Sequence, residues 1–206
     1  MDEEYDNVPV RDELREGNVR IPSGCAVFGC LSRSGRRMSA SGAVDAMMYM
    51  HDRSNGLGGG FAGYGIYPDF PDCYAFHVFY DNEHAREETE AFLKARFDIS
   101  GMERIPTRKV YGIRGAPLVW RYFGVLRPEI AAHTPLDEEE YVCRSVIHIN
   151  TKIKGAYVFS SGKNMGVFKG VGYPEDVGEY YRLGDYSGYC WTAHGRYPTN
   201  TPGWWG

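Results

Sequence analysis

The 206-residue sequence predicts an α+β fold. Short β-leaning runs and amphipathic helical stretches come in mixed order, without a regular strand–helix–strand repeat, which argues against a doubly wound parallel sheet. A hydrophobic fraction of 43% beside 24% charge is enough for one sizeable core. The chain also holds 26 glycines and is rich in aromatics, with 16 Tyr, 10 Phe and 4 Trp, a mixture that supplies turns and bulky core groups rather than disorder.

Each element follows from its local pattern. Residues 1–24 are acidic, lack apolar periodicity and end in Ile21-Pro22-Ser23-Gly24, so they are expected to form a leader or N-terminal extension. Residues 25–31 are apolar and β-leaning between Gly24 and Ser32, a strand. Ser39 or Ser41 can cap a helix to about His51, with Ala43, Val44, Met47 and Met48 on one face. Residues 55–60 form a glycine-rich loop, and 61–67 and 73–80 read as strands. Asn82 caps a helix to about Arg96, and residues 109–125 are β-rich around Trp120. Asp137 caps a further helix carrying Val142, Val146 and Ile149. Residues 156–160 and 165–169 flank a Ser-Gly-Lys-Asn turn and read as a hairpin. Pro174 opens a short helix to about Leu183, and residues 188–194 form a strand before a polar turn.

Charge and cysteine usage exclude several classes. The net charge is −4. Residues 1–24 hold seven acids against three arginines, so that segment carries the whole excess and the rest of the chain is balanced. A nucleic-acid surface would need a basic excess. No apolar run reaches membrane-spanning length, and the N-terminus lacks the basic and apolar regions of a secretory signal. Five cysteines, an odd number without a C-x-x-C pair, suit a reduced cytoplasmic protein. Gly58-Gly59-Gly60 lacks the lysine and hydroxyl residue of a phosphate loop and reads as a turn.

Three segments stand out chemically. They are Ser23-Gly24-Cys25-Ala26-Val27-Phe28-Gly29, then His51-Asp52-Arg53-Ser54-Asn55-Gly56, then His194-Gly195-Arg196-Tyr197-Pro198-Thr199-Asn200-Thr201. Together with Lys169-Gly170-Val171-Gly172-Tyr173-Pro174, they resemble the class II glutamine amidotransferase domain, in the branch found in glutamate synthases. The octapeptide at 194–201 is the most specific part. The resemblance implies an N-terminal-nucleophile αββα sandwich of mainly antiparallel sheets, incomplete here, with residues 25–206 as the front portion of the domain. It also implies removal of residues 1–24 to leave Cys25 as the first residue.

The chemistry of the residues agrees with those roles. A thiolate is a good nucleophile for an amide, and a cysteine at a chain's start brings its own base in the α-amine, whose pKa is roughly 7.7–8.0. On its position alone Cys25 reads as a small strand hydrophobe; the downstream motif makes it the expected catalytic nucleophile. Arg196 would grip the substrate α-carboxylate, since its planar fork matches a carboxylate bidentately. Thr199 could add a hydroxyl to the same carboxylate, and Tyr197 matches an aromatic of the family's substrate-covering loop. Arg53 either braces the nucleophile's strand or ends a helix favourably. Cys30, Cys73, Cys143 and Cys190 are expected to be core thiols. His51 and His194 lack metal-ligand spacing and are expected to be structural.

The expected reaction is hydrolysis of L-glutamine to glutamate and ammonia, with the ammonia received by a synthase domain or subunit. No cofactor or metal is expected in this chain; FMN and an iron–sulfur cluster would belong to the partner synthase subunit. The family's oxyanion-forming Asn-Gly motif would lie beyond Gly206, so the 206 residues alone are expected to be inactive and to need a further segment or chain. Two alternatives remain open at this point: a non-catalytic or precursor module with the same fold, and an amidotransferase serving another acceptor.

Overall fold

The computed structural model describes residues 25–195 and 203–206. The expected leader, and Arg196, Tyr197 and Thr199, lie outside the described residues. In chain order the strands are β1 (Val27–Leu31), β2 (Met38–Ser39), β3 (Gly59–Tyr64), β4 (Tyr74–Tyr80), β5 (Phe97–Arg104), β6 (Leu118–Leu126), β7 (Ala156–Ser160), β8 (Met165–Gly170), β9 (Ser187–Gly188) and β10 (Cys190–His194). The helices are α1 (Ser41–Tyr49), α2 (Glu83–Lys94), α3 (Pro128–His133), α4 (Glu138–Lys152) and α5 (Pro174–Tyr180), with 3₁₀ turns at His51–Arg53 and Leu183–Asp185. The fold is mixed α and β with antiparallel sheets.

The strands form two four-stranded sheets, ordered β1-β10-β3-β8 and β5-β6-β4-β7, and a small pair, β2-β9. The second sheet comes entirely from the middle of the chain, while the first is assembled from the segments on either side of it. Register places Phe28, Ala193, Phe61 and Phe168 on one face of the first sheet. Phe61, Phe168 and Trp191 share a buried cluster with Met47 of α1, Val177 of α5 and Phe79 and Phe123 of the second sheet. The other face of the first sheet carries Val27, Leu31 and Tyr64, all exposed. A second cluster joins Phe76, Val78 and Tyr80 of β4 to Leu93 of α2 and Val142 and Ile149 of α4. β4 is therefore covered on both sides, and all seven of its residues are buried.

Helix starts agree with the caps expected for them. The Asn82 side chain accepts from Ala85 N, and that of Asp137 accepts from Glu140 N, each satisfying a donor that the first helical turn leaves free. At α1 the N-cap position falls on Ala40 instead, and Ser39 Oγ accepts from Ser41 N at 3.2 Å.

Several expectations are corrected. Residues 156–160 and 165–169 are strands but not a hairpin: β7 pairs with β4 and β8 with β3, so the turn between them switches sheets. Both sides hold that turn. Asn164, at φ 47°, accepts from Tyr67 N through its side chain and from Gly65 N through its carbonyl, while Gly162 O accepts from Ala75 N. Gly59 and Gly60, expected in a loop, begin β3. A Cβ on either would meet Pro174 or the Phe168 carbonyl at 3.0 Å, so they are glycine for close approach within a strand. Met48 is 50% exposed rather than in the core face of α1. Of the expected core thiols only Cys73 is buried; Cys30 and Cys190 are half-buried and Cys143 is exposed on α4. Among the described residues no helix is long and apolar enough to cross a membrane.

Candidate active site

Cys25 is exposed and stands just before β1. Ala26 beside it is buried, and its carbonyl accepts from Gly195 N at 2.8 Å. That bond fixes the residue before Arg196 against the residue after Cys25. No side chain fits at Gly195: a Cβ there would lie 2.5 Å from Ser54 Oγ and 2.8 Å from both Ala26 Cβ and Met47 Cε. The opening strand, the end of α1, the His51–Arg53 turn and the last described residue of β10's extension therefore converge on one point.

Arg53 closes the 3₁₀ turn that follows α1 and is exposed. Its neighbour Ser54 is 3% exposed, and its hydroxyl has no hydrogen-bond partner among the described residues. A buried hydroxyl left unpaired costs about 1–3 kcal/mol, which a fold tolerates most readily where something else uses the group. Ser54 stands in the segment His51–Gly56, but that segment gives it no separate role; its burial beside Gly195 does.

The 169–174 segment comes to the same place. Tyr173 stacks on His51, with ring centroids 4.0 Å apart, and its ring leaves no room for a Cβ on Gly56, at φ 71°. His51 Nδ1 sits 2.5 Å from Glu175 Oε1, which ties the turn after α1 to the first turn of α5. Burial, and then the neighbouring Glu175, push the Asp176 carboxyl above the usual carboxylate range. Gly203 lies against the Leu57 carbonyl, close enough that a Cβ would meet it at 2.1 Å. Gly195 thus bonds to Ala26, and Gly203 lies against Leu57.

No family model matches the chain. A protein of Archaeoglobus fulgidus described as "Uncharacterized protein" is 51% identical over 200 residues, covering 94% of this chain and 53% of its own length. The chain spans about half the length of that relative.

Of the site residues expected from the sequence, Cys25 and Arg53 fall in one neighbourhood, through Ala26, Gly195 and Ser54. Arg196, Tyr197 and Thr199 lie outside the described residues. No group of three or more His, Cys, Asp or Glu is placed to hold a metal ion among the described residues. The site thus presents an exposed thiol at a strand opening, beside a glycine junction that also meets a buried hydroxyl without a partner among the described residues, and an exposed thiol is a group that can attack a small bound electrophile.

Proposed function

We propose that this chain is the front part of a glutamine amidotransferase domain with Cys25 as nucleophile. The observation that carries the reading is the junction of Ala26 with Gly195. It brings together the opening strand and the lead-in to the Arg196 motif, which are at opposite ends of the described chain, and both resemble parts of one catalytic site. Two antiparallel sheets that share a core, with α2 and α4 on the far side of the second, suit part of the N-terminal-nucleophile sandwich that the same resemblance implies.

In this reading residues 1–24 are removed and the α-amine of Cys25 takes the thiol proton. Sulfur attacks the glutamine side-chain carbonyl; the protonated amine returns its proton to the leaving nitrogen. Ammonia departs, a thioester remains, and water cleaves it to glutamate and free thiol. Arg196 holds the α-carboxylate bidentately, with Thr199 and Tyr197 beside it, and Arg53 supports the strand opening. The ammonia passes to a synthase domain or subunit.

The test is covalent labelling of the full-length protein, with Cys25 as its first residue, by an electrophilic glutamine analogue. One adduct is expected, on Cys25, suppressed by glutamine and greatly slowed in Arg196→Lys. An adduct on another cysteine with Cys25 free, or labelling that glutamine does not suppress, rules the reading out.

A further inference from the structure

The end of the first sheet remote from Cys25 holds a cavity with a different character. At the Cys25 end, Val27, His194 and Gly60 lie side by side; at the other end, Leu31, Cys190 and Tyr64 do. Beyond that second end, Arg37, Ile66 and Ser187 meet Arg121 and Phe123 of the second sheet and Arg182 of the loop after α5 around a volume of about 520 Å³. That size is within the range of small-molecule sites.

We propose that this cavity binds a small monocarboxylate with a planar apolar body. The three arginines differ in how far they are engaged. Arg121 is fully committed: it donates to Glu103 Oε1 at 2.9 and 2.8 Å and to the Tyr186 hydroxyl at 2.8 Å, and lies over the Tyr67 ring at 5.2 Å. Arg37 is not. One terminal nitrogen donates to the Gly65 carbonyl, but its Nε is buried with no partner among the described residues. A buried guanidinium donor without an acceptor matches an oxyanion that arrives with the ligand.

Arg182 supplies a second donor from a constrained backbone. It has φ 53° and ψ 42°, a left-handed conformation rare for a residue with a side chain, and it bonds Asp185 through one nitrogen at 2.7 Å. Strain of this kind gathers where a side chain must be aimed. Three acids, Asp69, Glu103 and Asp185, also line the cavity and match the three arginines in number, so the lining has no net charge; the unpartnered Arg37 Nε leaves a place for one oxyanion, and a polyanion would meet the acids. The wall is aromatic: Phe70 stacks on Phe123 at 4.0 Å and 5°. A flat apolar body extends that stack.

Benzoate is the probe, with inorganic phosphate at equal ionic strength as the contrasting anion, both followed by calorimetry and melting of the full chain. Benzoate is expected to bind with a Kd of about 1 mM or tighter and to raise Tm as its concentration rises, while phosphate does neither. Arg37→Gln should weaken benzoate by about tenfold or more, the loss of one charge-assisted hydrogen bond. Arg182→Gly is the second variant. Glycine accepts the left-handed backbone, so the variant folds, and it should also weaken benzoate. Preference for phosphate, no benzoate binding at about 10 mM, or unchanged benzoate binding in folded Arg37→Gln and Arg182→Gly proteins would each overturn the proposal. Labelling of Cys25 by the glutamine analogue is a separate readout, so this proposal and the amidotransferase reading can fail independently.

Discussion

The second sheet is enclosed where the first is open. Every residue of β4 is buried, with aromatic side chains on both faces under α2 and α4 on one side and the shared central core on the other. In β1, by contrast, alternate residues face solvent, and Val27 and Leu31 are 66% and 70% exposed. The same antiparallel pairing thus does two jobs. A sheet covered twice buries both of its faces, while a sheet covered once leaves a face and its strand openings accessible, which is where Cys25 stands.

Core truncation should break this contrast most visibly. Phe76 is fully buried on the outer face of β4, against Phe97, so Phe76→Ala should cost about 3–5 kcal/mol in urea unfolding. A loss under about 1 kcal/mol would mean that the second sheet is not the stable half.

A smaller effect is expected from acid, through the residue that ties the two sheets together. His77 on β4 is fully buried; its Nδ1–H donates to the Val167 carbonyl of β8, and its Nε2 accepts from the Tyr67 hydroxyl at 2.7 Å. Burial pulls its pKa down to about 3, from an ordinary value near 6.5, so the folded protein keeps it neutral. The unfolded chain takes up the proton first as pH falls. The contribution is therefore intact above about pH 6.5 and declines by about 1.4 kcal/mol per pH unit below it, until the folded form titrates near 3. Stability at pH 5.5 should be about 1.4 kcal/mol below that at pH 7.5 from this group alone, and His77→Gln should remove that share of the difference. An unchanged pH dependence in the variant would show that His77 is not the group responsible.

The smallest change belongs to the open face. Leu31→Thr should alter unfolding stability by no more than about 0.5 kcal/mol, because the side chain is already in solvent. A larger loss, measured in the full-length protein, would show that this face is covered there.

Much of the fold is legible in the sequence where a local rule decides. Asn82 and Asp137 announce their helices because capping is a contact between near neighbours. The turn at residues 161–164 was recognisable as a turn, but turn chemistry does not say which strands its flanks pair with; Val158 found β4 and Val167 found β3. β5 has a weak signal in the sequence because it is an edge strand on which only Phe97 is buried, and polar Asp98, Ser100 and Glu103 break its alternation. At the site, Cys25 and Arg53 could be named from motifs. Ser54 lies in the same motif as Arg53, but its burial is not legible there, since it depends on Gly195 from the far end of the chain packing against it. Arg37 and Arg182 are likewise far apart in sequence, and only folding places them around one cavity.

The two sheets also differ in how the chain must travel to make them. β4 to β7 follow one another, with α2, α3 and α4 between them, so their pairings close comparatively short loops. The bond between Ala26 and Gly195 joins positions at opposite ends of the described chain, and the entropy of closing so long a loop is offset only once most of the intervening contacts exist. The surroundings of Cys25 therefore exist only in molecules whose ends have already met. A chain stalled with just its middle folded displays a thiol on a loose strand, without Gly195 bonded to the residue beside it.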